Sequence, residues 1–184
     1  DPARYMAARE ARRMARFSQM AVAAAGLALE DSRLDLSGQD QDRIGVVMGN
    51  GSGGLPTPEE NARGLVEKGP MRMSRHFIPM ILPNMAAANV SRLFGLKGYT
   101  STIITACAAG TQAIGEGAEI IRRGAADVLL AGGCEAGISQ LGLGGFSIIK
   151  ALTRQNEEPE KASRPFDAKR DGFVAGEGSA LLVL

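Results

Sequence analysis

The stretch STIITACAAGTQAIGEG, Ser101 to Gly117, decides how this chain is read. A β-branched run, Thr102-Ile103-Ile104-Thr105, predicts a strand, because such side chains fit a pleated, half-buried surface. It breaks off at Cys107, and the small residues Ala108, Ala109 and Gly110 lead into a pattern with helical periodicity. A cysteine therefore stands where a buried strand gives way to a helix. The first turn of a helix presents N–H groups without intrahelical partners and the positive end of the dipole. Such surroundings favour a nucleophilic sulfur, and the same amides can hold an oxyanion. The small neighbours leave room for a substrate. Spacing alone also allows a buried, inert cysteine, so both readings stand at this point.

Outward from this junction, the same alternation recurs. Residues 8–31 read as one long helix with Met14, Phe17, Ala21, Ala24 and Ala28 on its apolar face. RIGVVMG (43–49) reads as a buried strand, and Asn84 as the cap of a helix that stops at Gly95. TSTIIT (100–105) is the next strand and 110–123 the next helix, with Arg122 and Arg123 at its dipole-favoured end. ADVLLAGG (126–133) and GSALLVL (178–184) are two further strands, separated by the polar connection 156–172. Strand and helix in alternation predict an α/β sheet covered by helices on both faces.

The bulk properties narrow the function classes. A net charge of +1 gives no global case for nucleic acid or a membrane surface as partner. Two cysteines make no disulfide framework, and a single histidine offers no zinc set, so neither metal nor cofactor is expected. No run approaches the roughly 20 apolar residues that span a bilayer. A reducing cytoplasm is the expected location. The first and last residues, Asp1 and Leu184, are expected to be internal to a longer protein.

Several other features invite function. GNGSGG (49–54) fits the glycine pattern of a dinucleotide loop, but the Pro56 and Pro58 that follow argue for a loop rather than a helix, and no acidic strand end follows. A glycine turn that packs closely, or lines a pocket, is the better reading. Cys134 follows a strand end without a helix behind it and is read as structural, as is His76 among bulky neighbours. Arg9, Arg12, Arg13 and Arg16 fall at helical spacing as a basic stripe with one acid, Glu10, among them. Such a stripe is a solvated face or a site for an anionic partner.

TACAAGTQAIGEGAEIIRRGAADVLLAGGCEAGISQLGLGGF (105–146), ASRPFDAKRDGFVAGEGSALLVL (162–184) and FIPMILPNMAAANVS (77–91) together resemble the β-ketoacyl-[acyl-carrier-protein] synthases, most closely the synthase II type. The resemblance implies a thiolase-like fold of two similar halves, each a mixed five-stranded sheet layered with helices. Residues 1–184 correspond to most of the N-terminal half, without its first strand and without the C-terminal half. It implies that Cys107 takes an acyl group from acyl carrier protein and then undergoes decarboxylative condensation with a malonyl thioester. It implies further that Ser52 and Phe146 line the acyl site, and that Arg9, Arg12, Arg13, Arg72 and Lys150 dock carrier protein. The family commonly has an aliphatic residue where Ser52 stands, which leaves chain-length preference open. A homodimer pairing through TSTIIT is the implied assembly. Two histidines, a lysine and the second oxyanion donor of the family lie in the C-terminal half, and His76 matches neither histidine. The alternatives are a thiolase acting on coenzyme A esters, a non-catalytic partner of chain-length-factor type, and a folded fragment without activity.

Overall fold

Ile44–Gly49 forms the first strand, β1, and all six of its residues are buried. Burial on both faces is what a central parallel strand requires. In the computed structural model, which describes residues 1–184, β1 indeed pairs in parallel on both sides. On one side runs β2 (Thr100–Ile103), with Val46 opposite Thr100 and Gly49 opposite Ile103. On the other runs β3 (Val128–Glu135), with Val46 opposite Leu130 and Gly49 opposite Gly133. β4 (Gly178–Val183) pairs antiparallel with β3, giving the order β2-β1-β3-β4. The mixed α/β sheet is the expected one, with four of the five strands that the resemblance implies.

Seven helices accompany the sheet: α1 (Ala8–Ala11), α2 (Arg16–Ser32), α3 (Pro56–Lys68), α4 (Phe77–Ile81), α5 (Met85–Phe94), α6 (Ala109–Arg122) and α7 (Gln140–Ile148). The two-residue alternation of strand side chains sorts them into layers. Ile44, Val46, Met48 and Leu130 face Phe17, Ala21, Val22 and Ala25 of α2 and Val90 of α5. Val47 and Leu129 face the opposite way, onto Ala113 and Ile120 of α6. Each fully buried Val, Leu, Ile, Met or Phe side chain among these contributes roughly 1.5–3 kcal/mol. No helix is long and apolar enough to cross a membrane.

The helix expected over 8–31 is two helices. Arg13 and Met14 donate their N–H groups to the carbonyls of Glu10 and Ala11, a tightened turn that ends α1. The Gln19 amide donates to the carbonyls of Ala11 (2.8 Å) and Met14 (3.1 Å), holding the break closed. The bend brings Ala11, Met14 and Ala15 into the core together with Phe17. The arginine stripe is broken with it: Arg9 lies in α1, Arg12 and Arg13 in the turn, and Arg16 opens α2.

The prolines after the glycine turn, expected to hold a loop, instead start α3, with Pro56 in its first turn. Proline suits that place because its missing N–H has no helical partner there anyway. Asn84 stands at the N-cap position of α5 but its side chain makes no capping bond. The glycine-rich 140–148 segment is helical because its start is capped twice. Ser139 Oγ accepts from Gly142 N–H (3.1 Å), and the Glu59 carboxylate of α3 accepts from Leu141 N–H (3.0 Å). That bond is the main reason the Glu59 carboxyl lies below the usual carboxylate range.

The start of α6 lies directly on the ends of β1 and β3. A β-carbon at Gly49 would fall 2.3 Å from the carbonyl of Ala109 and 2.4 Å from the nitrogen of Gly110; one at Gly133 would fall 3.0 Å from the Cα of Gly110. These glycines are required by close approach rather than by an unusual φ. Gly49→Ala is therefore expected to lower stability by about 1–3 kcal/mol through overpacking. Gly115→Ala, on an open face of α6, is expected to raise it by about 0.4–1 kcal/mol. Urea unfolding of the two variants checks this, and equal midpoints would contradict the packing account.

Candidate active site

Cys107 is exposed and sits in a single 3₁₀ turn, Ala106–Ala108, between β2 and α6. Ala106 before it has φ +50°, in the left-handed region. For a residue with a β-carbon that conformation costs on the order of 1–3 kcal/mol, and it persists only where the surroundings enforce it. Here the enforcement is visible. The Asn50 N–H donates to the carbonyl of Ile103 (3.0 Å), Ala108 N–H to that of Thr105 (3.1 Å), and α6 is pinned to the glycines of β1 and β3. The chain thus turns sharply and places the sulfur outside the sheet. α6 begins at Ala109, one residue earlier than expected, and its first turn has no side-chain cap. The 3₁₀ turn before it engages the Ala109 N–H, which donates to the carbonyl of Ala106.

Cys134 has the opposite setting. It is 5% exposed, lies on β3 against the α2 side of the core, and its thiol is pushed up to about 12. Burial is the main cause, opposed by a hydrogen bond from Asn50 and reinforced by the neighbouring Glu135 charge. The structural reading of Cys134 agrees with this geometry. His76 is half-buried at the start of α4.

The glycine turn 50–53 has its amides occupied. Gly51 and Ser52 donate their N–H groups to the Glu135 carboxylate, and Gly53 donates to the side-chain oxygen of buried Asn50. An anionic cofactor would meet Glu135 in the place a phosphate needs, so the turn does not serve as a dinucleotide loop. The turn lies beside the Cys107 turn instead: a β-carbon at Gly51 would lie 3.9 Å from the Cα of Ala106. Ser52 is exposed beside it, with its hydroxyl on Glu135. Sequence reasoning missed Asn50 and Glu135, although a lone acid ending the apolar strand ADVLLAGGCE was a usable signal.

Phe146, on α7, is half-exposed and meets Phe173 edge-on at 5.2 Å between ring centres. Lys150, just past α7, lines an open cavity of about 880 Å³ with Arg164, Arg170, Asp171 and Phe173. Arg72 is exposed in the turn between α3 and α4. Of the arginines at the chain start, Arg9 and Arg12 are exposed and make no ion pair. Arg13 lies 3.9 Å from Glu10, whose carboxylate is chiefly engaged by Arg92, and Arg16 pairs with Glu177 at 2.5 Å. The structure brings Cys107 and the Ser52 turn together; the docking candidates are spread over separate segments of the surface.

The family model described as the β-ketoacyl synthase N-terminal domain matches residues 2–184. The 3-oxoacyl-[acyl-carrier-protein] synthase 2 of Staphylococcus aureus (strain N315) is 47% identical over 176 residues, 96% of this chain and 42% of that protein. The chain spans less than half the length of the curated relatives it matches. The crystal structure of a β-ketoacyl synthase from Burkholderia phymatum STM815 superposes with a TM-score of 0.83 at 37% identity, over 99% of this chain and 44% of that one. A type II polyketide ketosynthase, solved with its acyl-carrier protein and bound to the hexaketide, superposes with a TM-score of 0.82 at 32% identity, over 100% of this chain and 50% of that one.

The two thiols should separate cleanly in a labelling experiment. At pH 8 a thiol titrating near 12 is thiolate to only ~1 part in 10⁴, and the thiolate is the reactive form. Iodoacetamide should therefore modify Cys107 alone in the folded protein and both cysteines in denaturant, read by peptide mass spectrometry. Prior or equal labelling of Cys134 in the folded state would refute the assignment.

Proposed function

The chain belongs to the β-ketoacyl synthase family, and we propose that it supplies the nucleophile of a 3-oxoacyl-[acyl-carrier-protein] synthase, as the N-terminal domain of that enzyme. The observation that carries this reading is the exposed Cys107 on its strained strand-to-helix turn, inside a family match that covers nearly the whole chain. Cys107 Sγ attacks the carbonyl of an acyl thioester on carrier protein. The carrier thiolate leaves, and the acyl group stays on the cysteine as a new thioester. A malonyl thioester then loses carbon dioxide, and the resulting carbanion attacks the acyl-cysteine carbonyl. The Cys107 thiolate departs, and the 3-oxoacyl product remains on carrier protein. The backbone N–H of Cys107 holds the oxyanion in both additions. The groups that assist decarboxylation belong, by the family resemblance, to a C-terminal half, so the 184-residue chain alone does not condense. The reaction needs no metal or organic cofactor.

In this reading Ser52 and Phe146 border the acyl chain. Arg9, Arg12, Arg13, Arg72 and Lys150 meet an acidic carrier protein, and β2, at one edge of the sheet, pairs with a second copy across a two-fold axis. The enzyme works in the cytoplasm.

In the full-length protein, incubation with acyl-carrier protein should add the acyl mass to the Cys107 peptide. Cys107→Ala should abolish this and lower condensation by roughly 10³-fold or more, the scale seen when a nucleophile is removed. Acyl mass found only elsewhere, or turnover retained in the variant, would overturn the reading.

Docking has its own signature. Reversing Arg9 and Arg12, which make no ion pair, to Glu should raise KM for acyl-carrier protein severalfold at low salt, mostly through slower association. The difference should shrink as the Debye length falls from about 10 Å at 0.1 M to about 3 Å at 1 M salt. A double variant with wild-type KM at low salt would leave these arginines as a solvated surface.

A further inference from the structure

Glu135 takes no part in the chemistry above, yet it shapes the turn beside the nucleophile. At the end of β3, its Oε2 accepts the N–H groups of Gly51 (2.9 Å) and Ser52 (3.2 Å), and its Oε1 accepts the Ser52 hydroxyl (2.6 Å). Asn50, 2% exposed, donates Nδ2 to the carbonyl of Cys134 at 2.6 Å and accepts the Gly53 N–H on its oxygen. Three successive amides, 51 to 53, thus bond to two side-chain oxygens. Backbone concavities of this kind bind anions elsewhere; this one is filled by the protein's own acid. The fit is close on the β3 side. A β-carbon at Gly51 would lie 2.7 Å from Glu135 Oε2, and one at Gly137 would lie 3.3 Å from Ser52 Oγ. The Ser52 hydroxyl is held between Glu135 and Gly137, with Ala106 near the turn's other flank.

We propose that Glu135 is a positioning residue that latches the 50–53 turn and, through the Ser52 hydroxyl, fixes the wall that residue 52 presents to the acyl chain. This rests on the reading of Cys107 as the acylated nucleophile and of Ser52 as a border of the acyl chain. Two bonds of the latch go to backbone amides and act whatever stands at position 52. The third needs a hydroxyl, which an aliphatic residue at that position cannot supply. With the latch made, the wall stays in place and limits how deep an acyl chain reaches past Cys107. With it released, the turn yields and longer chains fit. Chain-length selectivity then depends on a carboxylate that itself touches no substrate.

The test uses the full-length protein with Glu135→Ala, Glu135→Gln and Ser52→Ala, and two substrates, hexanoyl- and palmitoyl-carrier protein. The ratio of kcat/KM for palmitoyl over hexanoyl should rise on the order of tenfold in Glu135→Ala, the scale of losing hydrogen bonds to a charged group. Ser52→Ala should shift it in the same direction by less. Glu135→Gln, which keeps an acceptor for the amides, should stay near the wild type. An unchanged ratio in Glu135→Ala, with wild-type acylation intact, overturns the selectivity assigned to the latch. Should that variant not fold, an unchanged ratio in Ser52→Ala overturns the hydroxyl tether. Hydrogen exchange reads the same contact without catalysis: the amides of Gly51 and Ser52 should exchange about tenfold faster in Glu135→Ala. Equal exchange rates overturn the latch even if the protein transfers no acyl group. Faster exchange in a protein that never acylates Cys107 upholds the latch and overturns the selectivity assigned to it.

Discussion

The contact of one helix end with two strand ends governs this structure. α6 starts so close to β1 and β3 that side chains at Gly49 and Gly133 have no room, and the helix meets the sheet backbone to backbone. Packing at that distance fixes where the chain must leave β2, how tightly it must turn, and hence where Cys107 emerges. Helix–sheet layers usually keep a side chain's thickness between backbones. Removing it at one point trades hydrophobic burial for positional precision, since backbone atoms lack the rotamer freedom through which side chains absorb small displacements. The apolar clusters on both faces of the sheet supply the stability against which this is set.

A second, polar system lies across the same end of the sheet. Asn50 follows β1 and Glu135 ends β3, neighbouring parallel strands, and each turns its side chain toward the loop after β1. The loop's amides, which have no ladder partner beyond the last strand residue, are thereby satisfied inside the protein. Asn50 also reaches the carbonyl of Cys134, so the strand ends are joined by a side chain where the ladder stops. The consequence is a firm floor at the mouth of the candidate site, built from residues of two strands rather than from the loop alone.

The sequence carried the sheet well: the central strands β1 and β3 are uninterrupted apolar runs, and the edge strands β2 and β4 stand out by β-branched or aliphatic residues. The strand-to-helix junction at Cys107 was legible too, because the cysteine interrupts a periodicity. Helix ends were harder. The break at Arg12–Ala15 leaves no mark in the periodicity, because Met14 and Phe17 stay apolar whether or not the helix bends between them, and the bend is held by Gln19, a residue with no local signature. α3 was hidden by prolines that are harmless in a first turn, and α7 by glycines whose low helix propensity is offset by Glu59 from a segment some eighty residues away. The Glu135 contact with Ser52 was illegible for a like reason: it joins residues far apart in sequence whose pairing is set by strand order. Local patterns reveal strands and chemistry-bearing residues; the bonds that hold those residues in place are long-range and polar.

The left-handed backbone at Ala106 bears on how the site can vary over evolutionary time. Glycine adopts that conformation without strain and asparagine with little, whereas valine, isoleucine and threonine are disfavoured by their branched β-carbons. Single-base changes from an alanine codon lead to valine and threonine as readily as to glycine, so a good share of the mutations arising at this position meet a conformational barrier before any substrate is involved. Drift next to Cys107 is thus channelled by a dihedral angle. Change at this end of the sheet finds its room elsewhere, at exposed side chains such as Ser52 and Phe146 whose backbone is not left-handed.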